Sequence, residues 1–209
     1  MKKIAVTQRL IAAAGYPETR DALDVRWAAL CAELNYLPIL LPSGCAPGPY
    51  FSSVRIDGII LTGGNDLSSV VPRDGLSRKR DKFEKELVGA GLRRKIPILG
   101  VCRGMQLIAD YFRGRLKRSV GHANVRHRLL VSDSSRYARI LKKLPIVNSY
   151  HNYEVKCLPP DFTVAARSGD GAIEAIEHRK LRIFGLMWHP ERERPFRAAD
   201  LGLIKEIFR

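Results

Sequence analysis

The four cysteines, Cys31, Cys45, Cys102 and Cys157, include no C-x-x-C pair, so neither a zinc knuckle nor a redox dithiol is expected, and no metal site is anticipated. No apolar run approaches the roughly 20 residues that cross a bilayer. The amino-terminal stretch Met1-Lys2-Lys3-Ile4-Ala5-Val6-Thr7-Gln8-Arg9 carries too few apolar residues for a signal-peptide core, so a cytoplasmic location without a membrane partner is expected. Glycine-rich nucleotide fingerprints are also missing: neither G-x-G-x-x-G nor Walker spacing occurs, and nothing calls for a bound cofactor. Acidic residues are scarce, 21 against 36 Lys plus Arg, a net charge of +15. Such a surface attracts anions, whether nucleic acid, anionic lipid or a phosphate-bearing small substrate. Because the basic residues are dispersed rather than gathered in one tail, the charge also fits plain solubility.

What is present is an ordinary globular composition, 45% hydrophobic and 27% charged over 209 residues, enough for one core and one domain spanning 1–209. Short apolar runs alternate with amphipathic ones, the pattern of an α/β protein with a mostly parallel central sheet flanked by helices. Strands are expected at Lys3–Gln8, Pro38–Leu41, Ile56–Thr62 and Ile96–Val101. Helices are expected over Thr19–Asn35, where Leu23, Trp27, Leu30, Cys31 and Leu34 share a face, and over Ser77–Lys95 as a charged surface helix. Cys31 is thereby assigned to the core. A third helix follows Cys102, with Met105, Ile108, Ala109 and Phe112 on one side. Beyond Gly114 shorter strands are expected at His127–Ser132, Ile146–Ser149, Phe162–Ala166, Ala172–Glu177 and Arg182–Trp188, a small antiparallel extension. A helix over about Ser134–Lys143 interrupts them, and Phe196–Phe208 closes the chain.

Gly100-Val101-Cys102-Arg103-Gly104 has the form of a nucleophile elbow, a reactive side chain on a sharp strand-to-helix turn with small residues two positions to each side. The sulfur would stand at the carboxyl end of a strand and at the start of a helix, whose partial positive charge favours an anion there. Such a nucleophile needs a proton carrier, and histidine suits both directions of transfer near neutral pH. Of five histidines, His122, His127, His151 and His178 have plausible surface or loop positions. His189 instead follows the apolar run Ile183–Trp188 and precedes Pro190. Glu191 would project to the same side if the chain stays extended, and would orient the imidazole. Acyl transfer also needs N–H donors for an oxyanion: the backbone of Arg103 is one candidate, and the glycine turn in Leu61-Thr62-Gly63-Gly64-Asn65-Asp66 offers another. That turn could equally be a tight βα connection or a phosphate cradle.

Gly100–Gln106, Trp188-His189-Pro190-Glu191, Leu61–Gly64 and Val147–His151 together resemble the class I glutamine amidotransferase superfamily, with its flavodoxin-like fold, and more narrowly its γ-glutamyl hydrolase branch. The resemblance runs from Ile4 to Glu191. It implies a triad of Cys102, His189 and Glu191, an oxyanion hole at Gly64 and Arg103, and γ-glutamyl contacts at Gln106 and Ser149-Tyr150-His151, with Gly63 and Asn65 in the glycine turn. Ile4–Leu10, Glu18-Thr19-Arg20, Gly121–Val125 and Asn148–Tyr153 look like the subgroup that releases glutamate from γ-glutamyl-CDP-amidate in capsule phosphoramidate synthesis. On that resemblance Arg9, Arg20 and Arg103 are candidates to face a pyrophosphate. Arg113-Gly114-Arg115 departs from the branch's usual Gly-Gly-Thr turn.

Three functions compete. One is a stand-alone hydrolase of a γ-glutamyl small molecule, nucleotide-linked or not. Another is a glutaminase subunit that passes ammonia to a separate synthase partner. The last is a basic nucleic-acid-binding protein, supported by charge alone. A homodimer is compatible with each.

Overall fold

The computed structural model describes residues 1–209. In chain order the elements are β1 (Lys2–Val6), β2 (Arg9–Ala12), β3 (Thr19–Ala22), α1 (Arg26–Glu33), β4 (Tyr36–Leu40), α2 (Gly48–Ser53), β5 (Gly58–Leu61), α3 (Gly75–Arg93), β6 (Ile98–Val101) and α4 (Arg103–Tyr111). There follow β7 (Arg115–Arg118), β8 (Ala123–Val131), α5 (Ala138–Leu141), β9 (Ile146–Tyr150), β10 (Tyr153–Cys157), β11 (Phe162–Ser168), β12 (Ile173–His178), β13 (Ile183–Leu186) and α6 (Ala198–Ile207).

Nine strands form one sheet in the order β4-β1-β5-β6-β13-β12-β11-β8-β9. From β4 to β13 every pairing is parallel, and from β13 to β9 every pairing is antiparallel. The extension anticipated from the short late strands therefore continues the central sheet. β5, β6 and β13 are buried at every position, as expected of strands covered on both faces. Alternate side chains feed two cores. Ile4, Val6, Ile60 and Leu99 pack with Trp27 and Leu30 of α1 and Leu203 and Ile204 of α6. Ala5, Ile59, Leu61 and Ile98 pack with Phe83 and Leu87 of α3 and Met105 and Ile108 of α4. The chain leaves β1 toward β4 on one side and returns to β5 on the other, so strand order reverses there, and ligands of open α/β sheets bind beyond the carboxyl ends at such a point.

Two expectations are corrected. The helix predicted over Thr19–Asn35 begins only at Arg26, because Thr19–Ala22 pairs antiparallel with Arg9–Ala12 as a hairpin. Trp27, Leu30 and Cys31 keep their helical core face, and burial pushes the Cys31 thiol up to about 11. The second concerns α3, a charged surface helix only in part: Arg78, Lys79, Lys82 and Glu86 are exposed, but Arg80, Asp81 and Glu84 are buried. Sequence reading also passed over β7 and β10, which pair with each other as a separate ribbon.

Candidate active site

β5, β6 and β13 are adjacent and parallel, so their carboxyl ends open onto one edge. The Gly63-Gly64 turn leaves β5, Cys102 leaves β6, and His189 follows β13. Three separate stretches of sequence thus meet at one place.

Cys102 is the N-cap of α4 with φ of 53° and ψ of −106°, a conformation that costs a non-glycine residue on the order of 1–3 kcal/mol and persists only where the surroundings enforce it. Its N–H donates to the Leu186 carbonyl at 2.7 Å, and its carbonyl accepts from the Gln106 N–H at 3.2 Å. The flanking glycines are required by close approach. A Cβ at Gly104 would lie 2.1 Å from the Leu61 carbonyl oxygen, and one at Gly100 would lie 2.5 Å from the Gly104 backbone.

His189 is buried, and its Nδ1 lies 2.6 Å from Glu191 Oε1. Glu191 reaches it differently from the extended geometry expected: Pro190–Arg192 is a 3-10 turn, which curls the carboxylate back to the ring's Nδ1 edge. Asn148 of β9 clamps the same residue from both sides, its Oδ1 accepting from the His189 N–H at 2.8 Å and its Nδ2 donating to the His189 carbonyl at 2.9 Å. Burial works against a charge on the imidazole. The negative charges of Cys102 and Glu191, with the hydrogen bond to Glu191, outweigh it and raise His189 to about 9. His189 Nε2 closes no hydrogen bond within the protein. A Cβ at Gly63 would stand 2.9 Å from His189 Cε1 and 3.7 Å from Cys102 Cβ, so both groups border the glycine turn.

The turn is held from behind. Gly64 has φ of +95°. Thr62 donates its N–H to Thr7 Oγ1 at 3.1 Å and its hydroxyl to the Thr7 carbonyl at 2.9 Å. Arg80, fully buried, donates to the Thr62 and Gly63 carbonyls at 2.9 and 3.0 Å and to Glu84 at 2.9 Å. The Gly63 carbonyl and the Gly64 N–H belong to one planar peptide, so Arg80 fixes the direction of that N–H. Arg103 sends its own side chain into the same cluster, paired with Glu84 and Asp81, which ties down the first residue of α4. One buried ion network therefore backs both the glycine turn and the start of α4. Burial and repulsion from Arg103 lower Arg80 to about 10. For Glu84 the cost of burial is overcome by Arg103 and Arg80, which hold its carboxyl below the usual range.

A cavity of about 390 Å³ opens at Cys102, within the size of small-molecule sites. Arg9, Gly64, Gln106, Tyr150, His151 and His189 line it as anticipated, joined by Asp66, Asn152 and Arg192, which sequence reading did not single out. Asp66 is the one carboxylate on that wall, and burial raises its pKa. Arg192 lies over the Tyr150 ring at 4.4 Å. Gln106 donates to the Tyr153 carbonyl at 2.8 Å.

Four expected substrate contacts are placed otherwise. Ser149 is buried and donates to the His122 carbonyl at 2.7 Å. Asn65 borders the cavity, but its Oδ1 accepts from the Leu10 N–H at 3.1 Å and its Nδ2 donates to the Leu10 carbonyl at 3.0 Å, so it anchors the β2–β3 hairpin. Arg20 lies on that hairpin, half-exposed, paired with Glu18 and bonded to the Tyr16 hydroxyl at 2.6 Å. The Arg103 guanidinium faces Asp81 and Glu84 rather than a phosphate, because a buried carboxylate pair claims it first. His151, readable as an exposed turn residue, is buried.

A mixed sheet whose parallel half brings a cysteine elbow to a His–Glu pair defines a domain of the glutamine amidotransferase type, and the solved structures that it resembles share this fold. A candidate GMP synthase component from Thermoplasma acidophilum superposes with a TM-score of 0.74 at 22% identity, covering 100% of this chain and 92% of the other. A glutamine amidotransferase from Thermotoga maritima gives 0.64 at 15% identity over 98% and 83%. The chain belongs to the Peptidase C26 family, whose pattern matches residues 4–191. Among characterised relatives, the γ-glutamyl-CDP-amidate hydrolase of Campylobacter jejuni is 36% identical over 208 residues, 98% of this chain and 96% of that protein. The glutamine-hydrolyzing GMP synthase component of Thermococcus kodakarensis is 30% identical over 80% of this chain and 85% of the other.

Proposed function

We propose that this protein hydrolyses a γ-glutamyl amide by way of a glutamyl thioester on Cys102. The observation that carries the reading is the meeting of Cys102, the His189–Glu191 pair and the Gly63-Gly64 turn at the carboxyl ends of three adjacent strands. The Cys102 sulfur attacks the γ-carbonyl carbon, forming a C–S bond, and the oxyanion takes hydrogen bonds from the N–H groups of Gly64 and Arg103. As the C–N bond breaks, His189 gives its proton to the departing nitrogen. Water then attacks the thioester, His189 accepts its proton, and the C–S bond breaks to release glutamate. Glu191 orients the imidazole and offsets its charge.

The leaving group proposed is a phosphoramidate carried on cytidine diphosphate, as in the Campylobacter relative. Arg9 and Arg192 support it, since both put cations on the cavity wall where a pyrophosphate needs them. Asp66 is a counter-charge for the glutamyl α-ammonium. The chain acts as one unit over 1–209, in the cytoplasm where nucleotide-linked intermediates are handled, and it needs no synthase partner. No helix is long and apolar enough to cross a membrane.

The experiment is glutamate release by the purified chain from a panel of γ-glutamyl amides that includes γ-glutamyl-CDP-amidate and glutamine. Turnover of the nucleotide-linked amide well above that of glutamine is expected. The likeness to GMP synthase components favours a second reading, a glutaminase that supplies a partner. Activity on glutamine alone, dependent on an added synthase, would replace the first reading with this one.

A further inference from the structure

Beyond the sulfur chemistry, three histidines and a glutamate converge at the start of the antiparallel extension. His122 precedes β8, His127 lies within it, His151 follows β9, and Glu174 is on β12. β8 and β9 pair with Ala123 opposite Tyr150 and His127 opposite Val147, which brings His122 and His151 to one end with ring centroids 4.8 Å apart. β11 ends at Ser168, and past that end Glu174 reaches the group. Its Oε1 lies 3.5 Å from His122 Nδ1, 3.4 Å from His127 Nε2 and 3.5 Å from His151 Nε2. All four donor atoms fall within 4.8 Å of one another.

We propose that these four side chains form a binding site for one divalent transition-metal ion of the zinc class, held by His122 Nδ1, His127 Nε2, His151 Nε2 and Glu174 Oε1. Three features carry the assignment. The first is spacing: ligands at about 2.0–2.1 Å in a tetrahedron stand about 3.3 Å apart, close to the three glutamate–imidazole distances. The second is polar accounting. Glu174 is fully buried, yet both carboxylate oxygens, His122 Nδ1, His127 Nε2 and both nitrogens of His151 find no hydrogen-bond partner within the protein. A buried carboxylate left so would cost several kcal/mol, and a cation at the centre satisfies all four donors together. The third is the outer layer. His122 Nε2 lies 2.8 Å from Asp170 Oδ2, and His127 Nδ1 lies 3.3 Å from the Arg128 carbonyl. Each acceptor draws the ring proton to itself and turns the opposite nitrogen's lone pair inward, the usual support of a metal-bound imidazole. Ser168 donates to Asp170 Oδ1 and so fixes the carboxylate that faces His122. Glu174 and Asp170 together balance a charge of two.

Imidazole with a single carboxylate suits zinc and its neighbours rather than calcium or magnesium, which prefer oxygen throughout. Four protein ligands make a closed site, so its role is structural. It joins β12 to the end of the β8–β9 pair, and His151 with its neighbours Tyr150 and Asn152 lines the Cys102 cavity. The ion would fix that part of the cavity wall. The expectation that no metal binds rested on the lack of closely spaced ligands in the sequence; strand pairing, not sequence spacing, assembles this set.

The test uses the full chain without a polyhistidine tag. Elemental analysis after purification is expected to give about one metal per chain. Protein stripped by a chelator should rebind one Zn2+ in competition with a chromogenic chelator, and its Tm should rise by about 10 °C at a thousandfold excess over Kd. Co2+ should give visible d–d bands without a thiolate charge-transfer band, and Cys102→Ser should bind equally. Glu174→Gln and His127→Ala should each weaken binding at least about 100-fold; should they fail to fold, the Co2+ spectrum of the unaltered chain decides alone. The proposal is overturned by a folded chain that takes up no Zn2+, Co2+, Mn2+ or Fe2+ stoichiometrically. Binding that is lost in Cys102→Ser and kept in Glu174→Gln would overturn it equally. None of these readouts depends on turnover, so the site stands or falls apart from the proposed hydrolase activity.

Discussion

Replacing Arg80 by Met tests whether the proposed oxyanion donors are held by the buried ion network. Methionine keeps much of the volume and removes the guanidinium's donated hydrogen bonds, among them those to the Thr62 carbonyl, the Gly63 carbonyl and Glu84. Breaking a buried ion pair costs about 3–5 kcal/mol. Glu84 keeps Arg103 as a partner, which puts the cost near the lower end, about 3 kcal/mol. At roughly 2–4 °C per kcal/mol for a chain of this length, Tm should fall by about 6–12 °C. The catalytic effect is separate. Losing an oxyanion donor outright costs about 100- to 1000-fold in kcat. Here the Gly63–Gly64 peptide is freed rather than deleted, so a loss of about 10- to 100-fold, roughly 1.4–2.7 kcal/mol, is expected. Because the donor acts on charge that develops only in the transition state, kcat should fall while KM changes by less than about threefold. Arg80→Lys should fall between, since an ammonium cannot serve two carbonyls and a carboxylate in one plane. Glutamate release measured well below the variant's Tm reads both constants. A folded Arg80→Met protein with kcat within about twofold of the parent, or with the whole loss in KM, would refute the reasoning.

Other consequences are equally direct. His189 is raised from 6.5 to about 9, so its imidazolium contributes roughly 3 kcal/mol of stability, fully present below pH 6.5 and lost as pH rises through about 9. NMR titration of the His189 ring should show the high midpoint, and Cys102→Ala should lower it by removing the opposing charge; an unchanged midpoint in that variant would contradict this. Turnover should decline over the same upper limb as the proton for the leaving nitrogen is lost. Gly104→Ala would set a methyl 2.1 Å from the Leu61 carbonyl oxygen and should cost at least about 1–3 kcal/mol through overpacking, seen as a lower Tm in thermal melts. Arg9→Ala should raise KM for a nucleotide-linked γ-glutamyl amide by about 10-fold or more, the worth of a charge-assisted contact. KM for an uncharged γ-glutamyl amide should stay unchanged.

The meeting of the candidate site residues was legible because they follow apolar runs. Cys102, His189 and the Gly63-Gly64 turn each end a strand that the pattern of hydrophobic residues marks, and parallel strands put their ends on one edge. Periodicity misled where two structures share it: Leu23, Trp27 and Leu30 fit a helical stripe, yet Thr19–Ala22 ahead of them pairs as a hairpin. It also misled on α3, since Arg80, Asp81 and Glu84 look solvated until Arg103 and two carbonyls supply partners from elsewhere in the chain. Partners that distant leave no local signal. The same holds for Asn148, whose clamp on His189 comes from β9, and for His122, His127, His151 and Glu174, which only the β8–β9 pairing and the end of β11 bring together.

The central claim is that Cys102 carries the glutamyl group. Rapid acid quench of the enzyme mixed with its γ-glutamyl amide, followed by mass spectrometry of the intact chain and its peptides, measures this directly. The account predicts a mass increase of one glutamyl group on the peptide that holds Cys102, formed before glutamate accumulates and absent from Cys102→Ala, which releases no glutamate. Glutamate release by a folded Cys102→Ala protein, or an adduct mapped to another residue, would contradict it.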